Sequence, residues 1–287
     1  MIEVLDPGPL TTVQDRGRPG LAHLGVSPSG AADPRAYELG NALAGNRPGA
    51  ASLESTLAGP RLRFLADAVV ALTGAVHRPP FEVAAGEVLE VGGYVHGART
   101  YVAVRGGIAV EPVLGSRSTD LMGGLGPPVA RAGDVLPVGG EAGEAAAVEP
   151  DPLPGEPVLR VVPGPRAEWF APGALEALTS QPWRISAASN RIGIRLDGEP
   201  LAWARREELR SEGLVTGSLQ VPPNGLPILL GPDHPTTGGY PVIAVVRSED
   251  LWLAGQLRPG GSVTFERVAP SPRCQAPCST ETAPKQD

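Results

Sequence analysis

Apolar residues along this chain come mostly in short alternating runs, each closed by glycine or proline, as in VVALTG and YVAVRGG. Such alternation puts every second side chain on one face and predicts half-buried strands. Strands are expected at Leu62–Phe64, Ala68–Thr73, Thr100–Arg105, Val158–Val162, Ile192–Leu196, Pro227–Leu230, Val242–Val246 and Ser262–Val268. AAGEVLEVGG from Ala84, RAGDVLPVGG from Arg131 and RPGGSVTFERV from Arg258 share one shape, a glycine turn running into an alternating strand. Helical spacing is rare. Asp33 before Pro34 reads as an N-cap with proline at the first helical position, opening a helix through Leu43. Gly173–Leu178 is a second short helix and Ala204–Leu209 a third. Many short strands with few helices favour closure into barrels, which leaves no sheet edge exposed.

The alternation stops in Gly139–Pro157, which is acidic, rich in proline and almost without large apolar residues. The chain is therefore divided into a β-barrel unit over 1–140, a linker over 141–157, a second β-barrel unit over 158–268 and a disordered tail over 269–287. Cys274 and Cys278 both fall in that polar tail.

Composition narrows the chemistry. The chain has 287 residues, 38 of them glycine and 33 proline, and a net charge of -7. No basic run exceeds Arg205-Arg206, which argues against nucleic acid or an anionic membrane as partner. No segment approaches the ~18 apolar residues of a membrane span, and MIEVLDPG lacks a signal peptide's basic start and apolar core. A cytoplasmic location is expected. Lys285, in the tail, is the single lysine. A Walker lysine, a biotinyl lysine or a Schiff-base lysine is thereby excluded from the body. Four scattered histidines (His23, His77, His96, His234) and no cysteine in the body predict no metal site. Carboxylates, arginines, amides, hydroxyls and backbone N–H groups remain.

Five segments concentrate such groups. TTVQDRGRPGLAHLGVSPSGAAD, Thr11 to Asp33, holds Gln14, Asp15, Arg18 and Ser29 among four glycines that let the backbone turn tightly. RGGIAVEPVLGSRSTDL supplies Arg105, Ser116, Arg117 and Asp120, an anion-recognising pair of arginines beside hydroxyls and a carboxylate. SNRIGIRL places Asn190 and Arg191 at a strand entrance, where an arginine is more often a surface ion-pair partner than a ligand group. SEGLVTGSLQVPPNGLPILL spreads Glu212 and Gln220 over glycine and proline turns. HPTTGGYP exposes Thr236, Thr237 and Tyr240 around a double-glycine turn, which suits either a hairpin or an oxyanion nest.

TTVQDRGRPG, GVSPSGAAD, LESTLAGPRLRF, RGGI, LGSRSTDL, PGP, SNRIGIRL, SEGLVTGSLQVPPNG and TTGGYP occur here in the order of one family. The chain resembles the biotin-dependent-carboxyltransferase-like family, also called allophanate hydrolase subunit 2, from Ile2 to Phe265. Pro235 departs from its pattern, since a glutamine often precedes the Thr-Thr pair. The resemblance implies a mainly β protein of two cyclophilin-like barrel units. Stand-alone members of this size resemble the C subunit of a 5-oxoprolinase, which cleaves 5-oxoproline to glutamate with ATP. Its two companions are an A subunit and a B subunit, the latter of the allophanate hydrolase subunit 1 type. On that implication the assembled complex uses ATP, no biotin is attached to this chain, and the substrate is a small molecule. Asp15, Asp120 and Glu212 are then the base candidates. Arg105, Arg117 and Arg191 would bind anions, and Gln14, Asn190 and Gln220 amides. Arg18, Ser29, Ser116, Thr236, Thr237 and Tyr240 would complete the substrate site. A carboxyltransferase acting on urea or a related amide, and a regulatory antagonist of a kinase inhibitor, are the other activities the resemblance implies.

Overall fold

Strand alternation resolves into two β units in the computed structural model, which describes residues 1–269 apart from 95, 141 and 149–151. The tail from 270 onward, with Cys274, Cys278 and Lys285, lies outside the described residues. In the first unit, strands Val88–Glu90, Arg61–Phe64, Ile2–Asp6 and Val135–Leu136 form a sheet in that order. A second sheet runs Thr11–Gln14, Ser52–Thr56, Arg99–Val104, Ala68–Gly74, Arg78–Val83. Ile2, Val4, Leu62 and Phe64 of the first sheet share one core with Leu53, Val70, Val102 and Val104 of the second.

The strand Arg99–Val104 is buried at all six positions, which half-buried alternation does not produce. The helix Pro34–Ala44 explains it by covering the other face of that sheet. Leu43 and Ala44 pack on Ala71 and Ala103, and Ala36 and Tyr37 on Tyr101. Asp33 caps this helix, accepting from the Ala36 N–H at 3.0 Å.

The second unit is a closed barrel in the order Val158–Pro163, Val242–Val246, Ser218–Gln220, Ile228–Leu230, Gly193–Asp197, Trp183–Ile185, Ser262–Arg267. Its first and last strands pair in parallel, Val158 opposite Thr264 and Val161 opposite Arg267, and this closes the ring. Leu159, Val161, Val263 and Phe265 point into its core with Trp183, whose indole N–H donates to the Leu178 carbonyl. The chain is thus mainly β with few short helices, as expected. The closed ring belongs to the second unit, and in the first unit two packed sheets bury the core.

Helix Ala174–Ser180 forms, but the helix expected over Ala204–Leu209 does not. The run RREE within it is wholly charged and so has no face to bury. The Ala204 and Arg205 N–H groups instead donate to the Trp169 carbonyl, and Leu209 packs on the barrel core from irregular chain. A helix not foreseen, Leu251–Gly255, wedges between the units, where a Cβ on Gly255 would stand 2.2 Å from the Ala32 carbonyl oxygen. The acidic stretch before residue 149 is mostly exposed and is pinned to the end of the long helix by Gly143 N–H to Gly45 O (2.6 Å) and Ala146 N–H to Ala42 O (2.9 Å). Among the described residues no helix is long and apolar enough to cross a membrane.

Candidate functional site

The polar loop Thr11–Asp33 runs along the junction of the two units. Its Ser29 N–H donates to Pro232 O (2.9 Å), and the Ser27 hydroxyl donates to the His234 carbonyl. A second loop, Ser116–Leu125, locks onto the first. Asp15 Oδ1 accepts from Gly17 N–H (2.8 Å) and the hydroxyls of Ser116 (2.5 Å) and Ser118 (2.6 Å), while Oδ2 accepts from Arg117 N–H (2.6 Å). Arg18 donates to the carbonyls of Val113 and Ser118, and Gln14 to that of Thr119. Arg117 gives its Nε to Val110 O at 2.7 Å. These five sequence-predicted residues meet in one place, and their polar atoms are largely engaged in joining the two loops.

Beneath the loops lies a buried ion network. Arg191, expected at a strand entrance, is 1% exposed. It donates to both Asp233 oxygens (2.9 and 3.0 Å), to Glu54 Oε1 (2.5 Å) and to Gly30 O (2.6 Å). Ser29 donates to Asp233 Oδ1 at 2.8 Å, bringing the first loop into the same network. Glu54 also accepts from Ala32 N–H (2.9 Å) and the Tyr101 hydroxyl (2.7 Å). Burial alone would raise the Glu54 carboxyl pKa, but the Arg191 and Arg99 guanidiniums outweigh it and hold it below its ordinary value. Arg191 is likewise held charged: its two carboxylates overcome the burial that opposes its ionisation. Arg191 therefore ties the two units together.

An open cleft of about 430 Å³ sits on this junction, lined by Ser27, Asp120, Gly123, Pro235, Thr236 and Thr237 among others. Asp120 is 2% exposed. Its Oδ1 accepts from the N–H groups of Met122 and Gly123, both at 2.9 Å, while its Oδ2 is buried without a partner among the described residues. One oxygen fixes the carboxyl in a tight turn and the other keeps its lone pairs. His234, next in the chain to the cleft residue Pro235, is buried, and burial pushes its imidazole below the usual value. Among the described residues the cleft lining thus offers a poised carboxylate, threonine hydroxyls and no cation.

The remaining expected residues lie outside the cleft. Gln220 donates to the Tyr240 carbonyl at 3.1 Å, and Tyr240 is largely exposed. Glu212 belongs to a small two-stranded sheet that pairs it with Gly238, and its carboxylate takes the Arg166 guanidinium at 3.1 Å from Nε to each oxygen. Asn190 caps its own turn, accepting from the Ile192 and Gly193 N–H groups, and borders a different cavity. Arg105 is on another face, exposed, with Gly143 O as its acceptor. Sequence reasoning missed Glu54, Arg99 and Asp233. A carboxylate midway along the buried strand Ser52–Thr56 was the one available sign of the first.

The profile of the family described as carboxyltransferase domain, subdomain A and B, matches residues 24–267. The chain belongs to this family. Within it, the chain is 39% identical over 282 residues to the C subunit of 5-oxoprolinase from Escherichia coli, covering 92% of this chain and 90% of that protein. It is 34% identical to the C subunit of 5-oxoprolinase from Haemophilus influenzae, covering 94% and 92%. Among solved structures, the K. lactis urea amidolyase superposes with a TM-score of 0.84 at 32% identity, covering 93% of this chain but 19% of that much longer one.

Proposed function

We propose that this carboxyltransferase-family chain works as the C subunit of an ATP-dependent 5-oxoprolinase, opening 5-oxoproline to L-glutamate together with the A and B subunits. The observation that carries the reading is reciprocal length: the chain spans about nine-tenths of both relatives named as the C subunit of 5-oxoprolinase, against 19% of the urea amidolyase structure. The cleft suits half of the chemistry. Hydrolysis of a lactam needs a base for the attacking water, and Asp120 Oδ2 is a carboxylate oxygen with its lone pairs unclaimed. The Thr236 and Thr237 hydroxyls can orient the ring amide.

An acidic lactam also needs a cation, and the described lining supplies none. Nor does the lining fit a triphosphate, which calls for clustered cations and N–H groups. We therefore assign nucleotide binding and the countercharge to the partner subunits, with ATP supplying the driving force in the assembled complex. The test is to mix the purified chain with candidate A and B subunits and measure ATP-dependent glutamate release from 5-oxoproline. Release is expected from the full mixture, and its absence from every mixture in which all three subunits are folded would overturn the reading.

The family profile and the urea amidolyase likeness favour one second reading, a carboxyltransferase acting on urea or a related amide. That activity would need a biotin carrier supplied from another chain. Carboxylation of urea on adding such a carrier with its biotin already carboxylated, and no glutamate release, would select it.

A further inference from the structure

Arg99 is the least satisfied cation of the buried ion network. It is 5% exposed, and its Nη1 donates to the Gly255 carbonyl. Its Nε lies 3.3 Å from Glu54 Oε1 without hydrogen-bond geometry and is buried with no partner among the described residues. That Glu54 oxygen is already held at 2.5 Å by Arg191. A guanidinium presents five N–H donors, and leaving them unmade inside a protein is costly. Arg191, in the same network, has both a carboxylate pair and a carbonyl, so within the network the shortage falls on Arg99.

Arg99 borders a cavity of about 190 Å³ between the two units, separate from the Asp120 cleft. The cavity has room for about six waters at their liquid volume, or for one compact organic acid. Its lining is mixed in polarity. Ala31, Ala254, Ile194 and Leu230 contribute apolar surface, while Asn190 and Thr216 are polar. Asn190 is exposed, and its oxygen is engaged with backbone N–H groups, so its amide NH₂ remains as a donor.

We infer that this inter-unit cavity binds a compact carboxylic acid, with the Arg99 guanidinium as its countercharge and the alanine and leucine side chains taking a small apolar body. A guanidinium that keeps its proton favours a carboxylate over a neutral ligand of the same size. The apolar wall selects against larger polar anions such as nucleotides. The site stands independently of the 5-oxoprolinase reading, because it rests on shape and charge alone.

Cyclopentanecarboxylate is a suitable probe, having the size and charge without a lactam. Titrated into the full chain and followed by amide chemical shifts, it should bind saturably and perturb residues 31, 99, 190, 216, 231 and 255 together. Cyclopentanemethanol, matched in size but uncharged, should bind at least tenfold more weakly. Ala254→Leu fills the cavity without touching the charge and should weaken the acid at least tenfold, as should Arg99→Gln where it folds. Absence of saturable binding, perturbations centred elsewhere, or equal affinity for the alcohol would each overturn the inference. The oxoprolinase reading is tested apart from this site, by glutamate release from the assembled complex, so failure of either proposal leaves the other standing.

Discussion

Arg191 shows how far a single residue's environment can depart from its local sequence. Its guanidinium joins Glu54, 137 residues away, to Asp233, 42 residues away, with no exposure to water. Removing one member of a buried ion network strands the others in a medium of low polarity, at a cost of about 3–5 kcal/mol. Arg191→Gln is therefore expected to lose stability on that scale in a denaturant melt, and a change below about 1 kcal/mol would show the network to be dispensable. A subtler residue is Gly123. A Cβ there would lie 2.5 Å from Asp120 Oδ2, the carboxyl oxygen buried without a partner among the described residues. Gly123→Ala should accordingly depress turnover of the assembled complex well beyond its effect on melting temperature, because it crowds the carboxyl while leaving the core intact.

Elements rather than residues set the response to acid. Strand Ser52–Thr56 carries Glu54, whose folded pKa lies below the ordinary 4.5 because the neighbouring guanidiniums outweigh burial. A depressed carboxyl contributes its stability fully above the unfolded value and loses it as pH falls below about 4.5. The helix cap Asp33 has the opposite sign. Burial raises its pKa above the ordinary 3.8 against the helping bonds from Ala36 and Gln256, so its contribution declines as pH rises through that window. Melting temperature is expected to drop below pH 4.5, and Glu54→Gln should flatten that limb. An unchanged limb in the variant would place the acid sensitivity elsewhere. Asp33→Ala, which removes the cap, should cost about 1 kcal/mol while Asp33→Asn costs less. Much of this scale was legible in sequence, because alternation and capping are local: Asp33-Pro34 announced its helix, and Val158–Val162 and Ser262–Val268 their strands. Ala204–Leu209 misled because helix-favouring residue types without an apolar stripe have nothing to pack.

At the scale of the molecule, the two units meet through polar loops, and a shared site is built where they meet. The motifs of the Thr11–Asp33 loop, the Ser116–Leu125 loop and His234–Thr237 could be recognised as a set in sequence, but their division of labour could not. Asp15 and Arg191 looked as reactive as Asp120, since the partners that engage them are set by packing over long separations. The chain alone is expected to show no ATP-dependent glutamate release, because its cleft lining lacks a cation for an acidic substrate among the described residues. Robust turnover by the isolated chain would refute that division of roles within the complex. The role proposed for Asp120, as the base that this chain would bring to an assembly, is the point most open to direct test. Asp120→Asn keeps the Oδ1 acceptor for Met122 and Gly123, so fold and assembly should persist. Steady-state glutamate release by the reconstituted complex should then fall by about 10²–10⁴-fold at unchanged melting temperature, whereas near-full turnover by an intact Asp120→Asn complex would contradict that role.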